Sequence, residues 1–281
     1  MLRFDVHQHF LPPPVLEVLR ARREPPRLSG SMLELREGSF PFDARLHDLG
    51  ERLAVLDRDR IDVAVVSLPP TLETEAHPEL RDAYHAGIRE TVRAADGRLR
   101  AFAAGECLPG FAGACVSAGT LVAGLGELEG ELARAGQILF VHPGPPGPPP
   151  AGAPPWWCSV VDYTAQMQAA FFHRLAAARA GDGDPRVVFG ILAGGAPIQL
   201  ERLRAQGRSG ATQLPEGVHL DTATYGAHAL EHCVQVCGAH RLVYGSDVPV
   251  VDSRPTLQAL ASLGEPLLET VSSANPTRLL P

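Results

Sequence analysis

Apolar residues along the chain gather in short runs, and segments of helical period lie between them. The runs are "LRFDVH" (2–7), "DVAVVSL" (62–68), "LRAFAAG" (99–105), "GACVSAG" (113–119), "QILFVH" (137–142), "RVVFGIL" (186–192), "GVHLDT" (217–222) and "RLVYGSD" (241–247). Several are almost continuously apolar, the pattern of strands buried on both faces. The segments at 46–60, 79–95, 122–136, 163–180 and 230–238 place apolar residues three and four apart and read as amphipathic helices. Eight strands alternating with helices predict an α/β chain forming a single-domain (β/α)8 TIM barrel. Only about eight residues join the third and fourth runs, leaving little room there for a helix. A doubly wound open sheet is the competing architecture. It would set a glycine-rich turn after the first strand, where this chain has "HQHFLPPP".

Bulk composition narrows the functional classes. With 281 residues, 45% hydrophobic, the chain can bury one large core. A formal charge of −7 offers no basic field for nucleic acid or an anionic membrane. No apolar run approaches the roughly 20 residues of a membrane span. His7 and His9 interrupt the segment where a signal peptide would be apolar, so a cytoplasmic location is expected. All 25 basic side chains are arginine. Without lysine, neither side-chain Schiff-base chemistry nor a metal pair bridged by a carboxylated lysine can operate. Five scattered cysteines fit reduced thiols better than a disulfide framework, and "EHCVQVCGAH" (231–240) reads as thiols on a helix rather than a zinc site. The proline-rich stretch "PGPPGPPPAGAPPWW" (143–157) is a stiff, extended loop expected to overhang the barrel mouth.

Candidate chemistry concentrates at strand ends. Residues two apart on a strand share a face, so His7 and His9 can converge on one point inside a barrel. His142 terminates "ILFVH" and Asp247 terminates "LVYGSD". Each falls at the carboxyl end of a parallel strand, the face on which barrel enzymes assemble their sites. Three histidines and an aspartate make a mononuclear nitrogen and oxygen site for a divalent ion, with Zn²⁺ the first choice.

In order along the chain, "FDVHQHF" (4–10), "RLAVLDRDRIDVAVVSLPP" (52–70), "VHP" (141–143), "GGAPIQLERL" (194–203), "DTA" (221–223), "YGSDVP" (244–249) and "ANPTRLL" (274–280) resemble the amidohydrolase superfamily. The likeness is to its mononuclear branch, related to aminocarboxymuconate-semialdehyde decarboxylase, and spans nearly the whole chain. It implies a (β/α)8 barrel, one divalent metal held by His7, His9, His142 and Asp247, and either hydrolysis or non-oxidative decarboxylation. One departure stands out. The family commonly has a histidine two residues before the paired glycines that follow the sixth strand, and this chain has Leu192. Its acid–base duty must pass elsewhere, to Asp247 first and His228 second. The related decarboxylases hold a substrate carboxylate with an arginine from the first long loop, which implies that role for Arg36. Trp156 and Trp157 are candidates to wall a planar substrate.

The expected activity is metal-dependent hydrolysis of an amide, lactone or similar carbonyl through a metal-activated water. The alternative is a metal-dependent carboxy-lyase acting on a carboxylated ring or enol. A third reading is a degenerate barrel that binds a ligand without turnover. The expected partner is a small molecule, carboxylated or aromatic; a homodimer is allowed, while nucleic acid and membrane are not expected.

Overall fold

The computed structural model describes residues 1–177 and 185–281. Eight parallel strands stand in chain order around a barrel: β1 (Phe4–His9), β2 (Val63–Ser67), β3 (Leu99–Ala104), β4 (Gly113–Ser117), β5 (Ile138–His142), β6 (Arg186–Phe189), β7 (Val218–Asp221) and β8 (Leu242–Val243). The ends of the sheet meet where the Val6 amide donates to the Tyr244 carbonyl (2.8 Å) and the His9 amide donates to the Val248 carbonyl (2.7 Å). Helices α1 (Pro13–Ala21), α2 (Leu49–Asp59), α3 (Pro78–Ala94), α4 (Ala118–Ala123), α5 (Leu128–Ala135), α6 (Tyr163–Ala177), α7 (Ile191–Ala205) and α8 (Ala227–Cys237) cover the outside. The chain finishes in three short helices, Arg254–Ser262, Glu265–Glu269 and Asn275–Leu279. None of the described helices is long and apolar enough to cross a membrane.

Strand alternation makes two apolar layers. Ile138 and Phe140 of β5 point into the barrel with Phe4, Val6, Val65, Phe102 and Val188. Leu139 and Val141 point outward, into a layer with Leu19, Leu56, Tyr84 and Phe171 from the helices. Between β1 and β2 the register slips: Asp5 pairs with Ala64, but Gln8 pairs with Val66. That extra residue is a β-bulge. It explains how Phe4 and Val6 can face the barrel interior while His7 and His9 do so as well.

The structure departs from the sequence pattern in instructive places. The run at 186–192 stops being strand at Phe189, and "LVYGSD" pairs as strand only through Val243. The helix expected at 122–136 is two helices, because Gly124 and Gly126 take φ of 108° and 57° between them. No helix joins β3 to β4, as the short connection requires. The end of the expected 163–180 helix, from residue 178, lies outside the described residues. Between α1 and α2 stands an unforeseen insert, a three-stranded antiparallel sheet of Arg27–Ser29, Met32–Leu35 and Gly38–Pro41.

Two buried polar residues that follow the insert join this region to β1 and to the segment just after it. Arg52 of α2 is 1% exposed. It donates to Gln8 Oε1 (2.8 Å), the His9 carbonyl (2.9 Å) and the Leu46 carbonyl (3.1 Å). Burial draws its guanidinium down to about 10, against the attraction of Asp5. His47 accepts from the Leu11 amide through Nδ1 (3.0 Å), and its ring stacks on Phe42 at 5.1 Å. Burial, with repulsion from Arg52 and His9, pushes His47 down to about 3.

Removing Arg52 should leave two buried acceptors, Gln8 Oε1 and the His9 carbonyl, and the part-buried Leu46 carbonyl without this donor. Arg52→Leu is expected to cost roughly 3–5 kcal/mol in denaturant unfolding, and Lys at this position should restore little of it because it lacks the guanidinium fork. His47 is neutral when folded but takes a proton near its ordinary pKa when unfolded. Its contribution is therefore complete above about pH 6.5 and is lost as pH falls toward 3, at up to about 1.4 kcal/mol per pH unit. Stability measured across that window should fall less steeply in His47→Gln, whose side-chain oxygen can still accept from Leu11.

Candidate metal centre

Four side chains meet at the carboxyl-terminal mouth of the barrel. One ligand atom from each of His7, His9, His142 and Asp247 lies within 4.8 Å of the others. His7 Nε2 and His9 Nε2 are 3.3 Å apart. Asp247 Oδ1 stands 3.1 Å from His9 Nε2 and 3.5 Å from His7 Nε2. The imidazoles cross edge to face, with ring centroids 4.8 to 5.1 Å apart.

The opposite nitrogen of every ring is already engaged. His7 Nδ1 donates to Asp221 Oδ2 (2.6 Å), and His142 Nδ1 donates to the Pro143 carbonyl (2.8 Å). The Ser67 hydroxyl donates to the Gln8 carbonyl (3.4 Å), so it accepts from His9 Nδ1 (3.1 Å). With the protons held on Nδ1, all three Nε2 lone pairs point at one another and at a carboxylate. That donor set fits a single divalent cation, with each ligand oriented from behind.

The electrostatic field agrees. Burial works against charge on His7, but the combined attraction of Asp221, Asp247 and Asp5 outweighs it and raises the imidazole to about 9. The same carboxylates would offset the positive charge of an ion held by this ring. Burial keeps His9 low, and burial with repulsion from His9 and His7 pushes His142 far below its usual value. Burial works against charge on Asp247, but the surrounding His9, His7 and His142 outweigh it and hold the carboxyl below its ordinary value.

Backbone geometry supplies the placement. Asp247 lies beyond the paired part of β8, at φ +65°, and its amide donates to the His7 carbonyl (2.8 Å). It is therefore aimed by a left-handed turn across the closing seam rather than by a strand end. Gly245 permits the approach: a Cβ there would stand 2.7 Å from His7 Cβ and 3.0 Å from Asp221 Cγ. Beyond β6, Ile191, Leu192 and Ala193 take φ of 46°, 48° and 50°, followed by Gly194 and Gly195. Left-handed backbone costs L-residues roughly 1–2 kcal/mol each, so the surroundings must hold this turn. Part of the hold is the Ile191 amide, which donates to Asp221 Oδ1 (2.8 Å). At Gly194 a Cβ would stand 2.3 Å from the Thr164 carbonyl oxygen, so only glycine fits.

The converging group does not include the remaining candidates. Leu192 is 1% exposed, within the apolar layer between barrel and helices. His228 is exposed, in the first turn of α8. Arg36 belongs to the insert and donates to Glu73 (2.5 Å). Trp156 is 55% exposed, and Trp157 immediately precedes the π-turn Cys158–Asp162 that leads into α6. Cys233 and Cys237 are free thiols on α8.

Three contributors escaped the sequence reading. Asp221 ends an apolar run, as His142 does, and that signal could have found it. Ser67 closes β2 in the same manner. The Asp5–Gln8–Arg52 chain has no local signature: Gln8 donates to Asp5 Oδ2 (2.7 Å), and Asp5 Oδ1 accepts from the amides of His7 and Ser246 (3.1 Å each). Burial, the largest influence, raises the Asp5 carboxyl to about 6.

Comparison with known proteins agrees with this architecture. The structure of IDCase from Metarhizium anisopliae matches with a TM-score of 0.75 at 18% identity, covering 99% of this chain and 96% of that one. Manganese-bound 5-carboxyvanillate decarboxylase from Novosphingobium aromaticivorans matches at 0.69 and 17%, covering 99% and 95%. The 2,6-dihydroxybenzoate decarboxylase from Rhizobium matches at 0.67 and 16%, covering 99% and 98%. At such identities the likeness speaks to the fold. No match is found among curated protein sequences. The amidohydrolase family model matches residues 4–281, and the chain belongs to that family.

Proposed function

We propose that this protein is a metal-dependent carboxy-lyase that removes CO₂ from a small hydroxylated aromatic or enolic acid. The observation that carries the reading is the convergence of three Nε2 atoms and one carboxylate at the barrel mouth, with every Nδ1 already engaged. A divalent ion bound there, Zn²⁺ or Mn²⁺, supplies Lewis acidity that neutralises negative charge on substrate oxygens. His7, His9, His142 and Asp247 are the residues proposed to hold it.

The count of acid–base groups favours decarboxylation over hydrolysis. Asp247 is the carboxylate in the cluster, Leu192 stands in the apolar layer, and His228 is exposed elsewhere. Decarboxylation needs one proton delivered to the carbon that loses CO₂. Asp247, ionised at rest, takes the proton of a substrate hydroxyl and returns it to that carbon; the electron pair of the broken C–C bond accepts it as CO₂ departs. Arg36 would bind a substrate carboxylate after releasing Glu73, and Trp156 and Trp157 would flank a planar ring. The decarboxylases of similar fold add support from their named substrates, 5-carboxyvanillate and 2,6-dihydroxybenzoate. Hydrolysis of an amide or lactone is the second reading. It would require Asp247 both to deprotonate water and to protonate the leaving group.

Incubating zinc- or manganese-loaded protein with 2,6-dihydroxybenzoate and with 5-carboxyvanillate, while following CO₂, tests the reaction. CO₂ release abolished by Asp247→Asn supports the lyase. Turnover of amides or lactones with no CO₂ from any carboxylated ring would replace it with the hydrolase. Leu192→His should keep the fold without a large gain in rate; a gain of about 10² or more would show that a missing acid–base group limits the enzyme.

Metal affinity offers a separate check. His7→Ala combined with His9→Ala should lose most of the metal found by elemental analysis. Asp221→Asn should weaken binding roughly 10- to 100-fold in a chelator competition, since it removes the charge that orients and polarises His7. Unaltered affinity in Asp221→Asn would mean that His7 does not ligate.

A further inference from the structure

The insert's outer turn consists of Arg36 and Glu37, between the paired residues Leu35 and Gly38. Both residues are tied to loops outside the insert. Arg36 is paired with Glu73, from the loop after β2. Glu37 Oε1 accepts from the Tyr163 hydroxyl (2.7 Å), and Tyr163 opens α6 after β5.

The barrel turns that second contact into a crossing. Its strands follow chain order around the ring, so β5 lies opposite β1. The insert leaves from the β1 side and is fastened at the β5 side. Its path therefore spans the mouth into which the histidines of β1 and β5 project. The charge of Asp247 is felt at Tyr163: burial first, then Glu37, with Asp247 adding to them, push the phenol well above its ordinary value. Tyr163 is thus a permanent donor. The other oxygen of Glu37, Oε2, is buried and has no partner among the described residues. Burial also raises the Glu37 carboxyl above its usual value. This anchor is a single hydrogen bond to a carboxylate left half-satisfied, which makes it a fastening that can open.

We propose that Glu37 and Tyr163 strap the insert across the barrel mouth, and that release of this bond is the step admitting molecules to the histidine cluster. The same strap fixes Arg36, its neighbour in the turn, at the rim. Glu37 and Tyr163 are positioning residues and touch no reacting atom. The inference rests on the proposed function only in taking the cluster as the reacting centre.

The test compares the full chain as wild type, Tyr163→Phe, Glu37→Ala and Glu37→Gln, each loaded with zinc. Backbone hydrogen exchange is followed over residues 27–41, together with the rate at which EDTA removes the zinc. Tyr163→Phe and Glu37→Ala should each speed exchange in the insert roughly tenfold and hasten zinc removal comparably, with equilibrium zinc content unchanged. Glu37→Gln keeps an oxygen acceptor and should stay near wild type. Unchanged exchange in both disruptive variants overturns the strap, as does Glu37→Gln behaving like Glu37→Ala. If Tyr163→Phe does not fold, Glu37→Ala, in the turn itself, carries the comparison. Should the wild type take up no zinc, the proposed function fails, and exchange in the metal-free protein still decides the strap.

Discussion

One extra residue in β1 is the constraint on which the site depends. The slip between Asp5 and Gln8 turns His7 and His9 inward on a strand whose earlier residues, Phe4 and Val6, already fill the barrel. In strict alternation one of these pairs would face the helices. The bulge is held by groups that serve little else: Asp5 collects the amides of His7 and Ser246, and Gln8 bridges Asp5 to the buried Arg52. Removing a cation from water to place it there is costly, and the bonds it makes to β1 and to Leu46 offset that cost. Fold stability and ligand geometry are thereby joined in one network.

From the bulge the order spreads by contacts between loops. His7 reaches Asp221 at the end of β7, and Asp221 reaches Ile191 in the left-handed turn after β6. Asp247 is aimed by its own amide, bonded to the His7 carbonyl across the closing seam. Three neighbouring strand ends are thus linked, directly or through Asp221, to one residue, His7. The Leu192 position belongs to this arrangement. In a left-handed turn packed against Thr164, the backbone serves placement, and the leucine joins the outer apolar layer. In the proposed reaction, acid–base chemistry at this mouth therefore falls to Asp247.

Much of this was legible in the chain. The alternation of apolar runs and helical segments yields the barrel, and residues closing those runs yield His142, His7 and His9. Asp247 was found for a reason that is only partly right, since pairing in β8 ends at Val243 and a left-handed turn aims the carboxylate. Periodicity reports which face a residue occupies only while the strand stays regular, so the bulge left no trace in it. Asp221 carried the same strand-end signal as the ligands and was passed over. The resemblance offers Arg36 as a clamp for a substrate carboxylate but carries no sign of its pairing with Glu73. The contact between Glu37 and Tyr163 joins residues 126 positions apart, and no local pattern encodes such a pairing.

The central claim is that these three imidazoles and one carboxylate form the metal centre. X-ray absorption at the zinc edge of protein loaded with one equivalent of Zn²⁺ tests it most directly. The account predicts a first shell of nitrogen and oxygen at about 2.0–2.1 Å, with the outer-shell scattering of several imidazole rings and no sulfur. A sulfur shell near 2.3 Å would place the metal on Cys233 and Cys237 instead, and would contradict it.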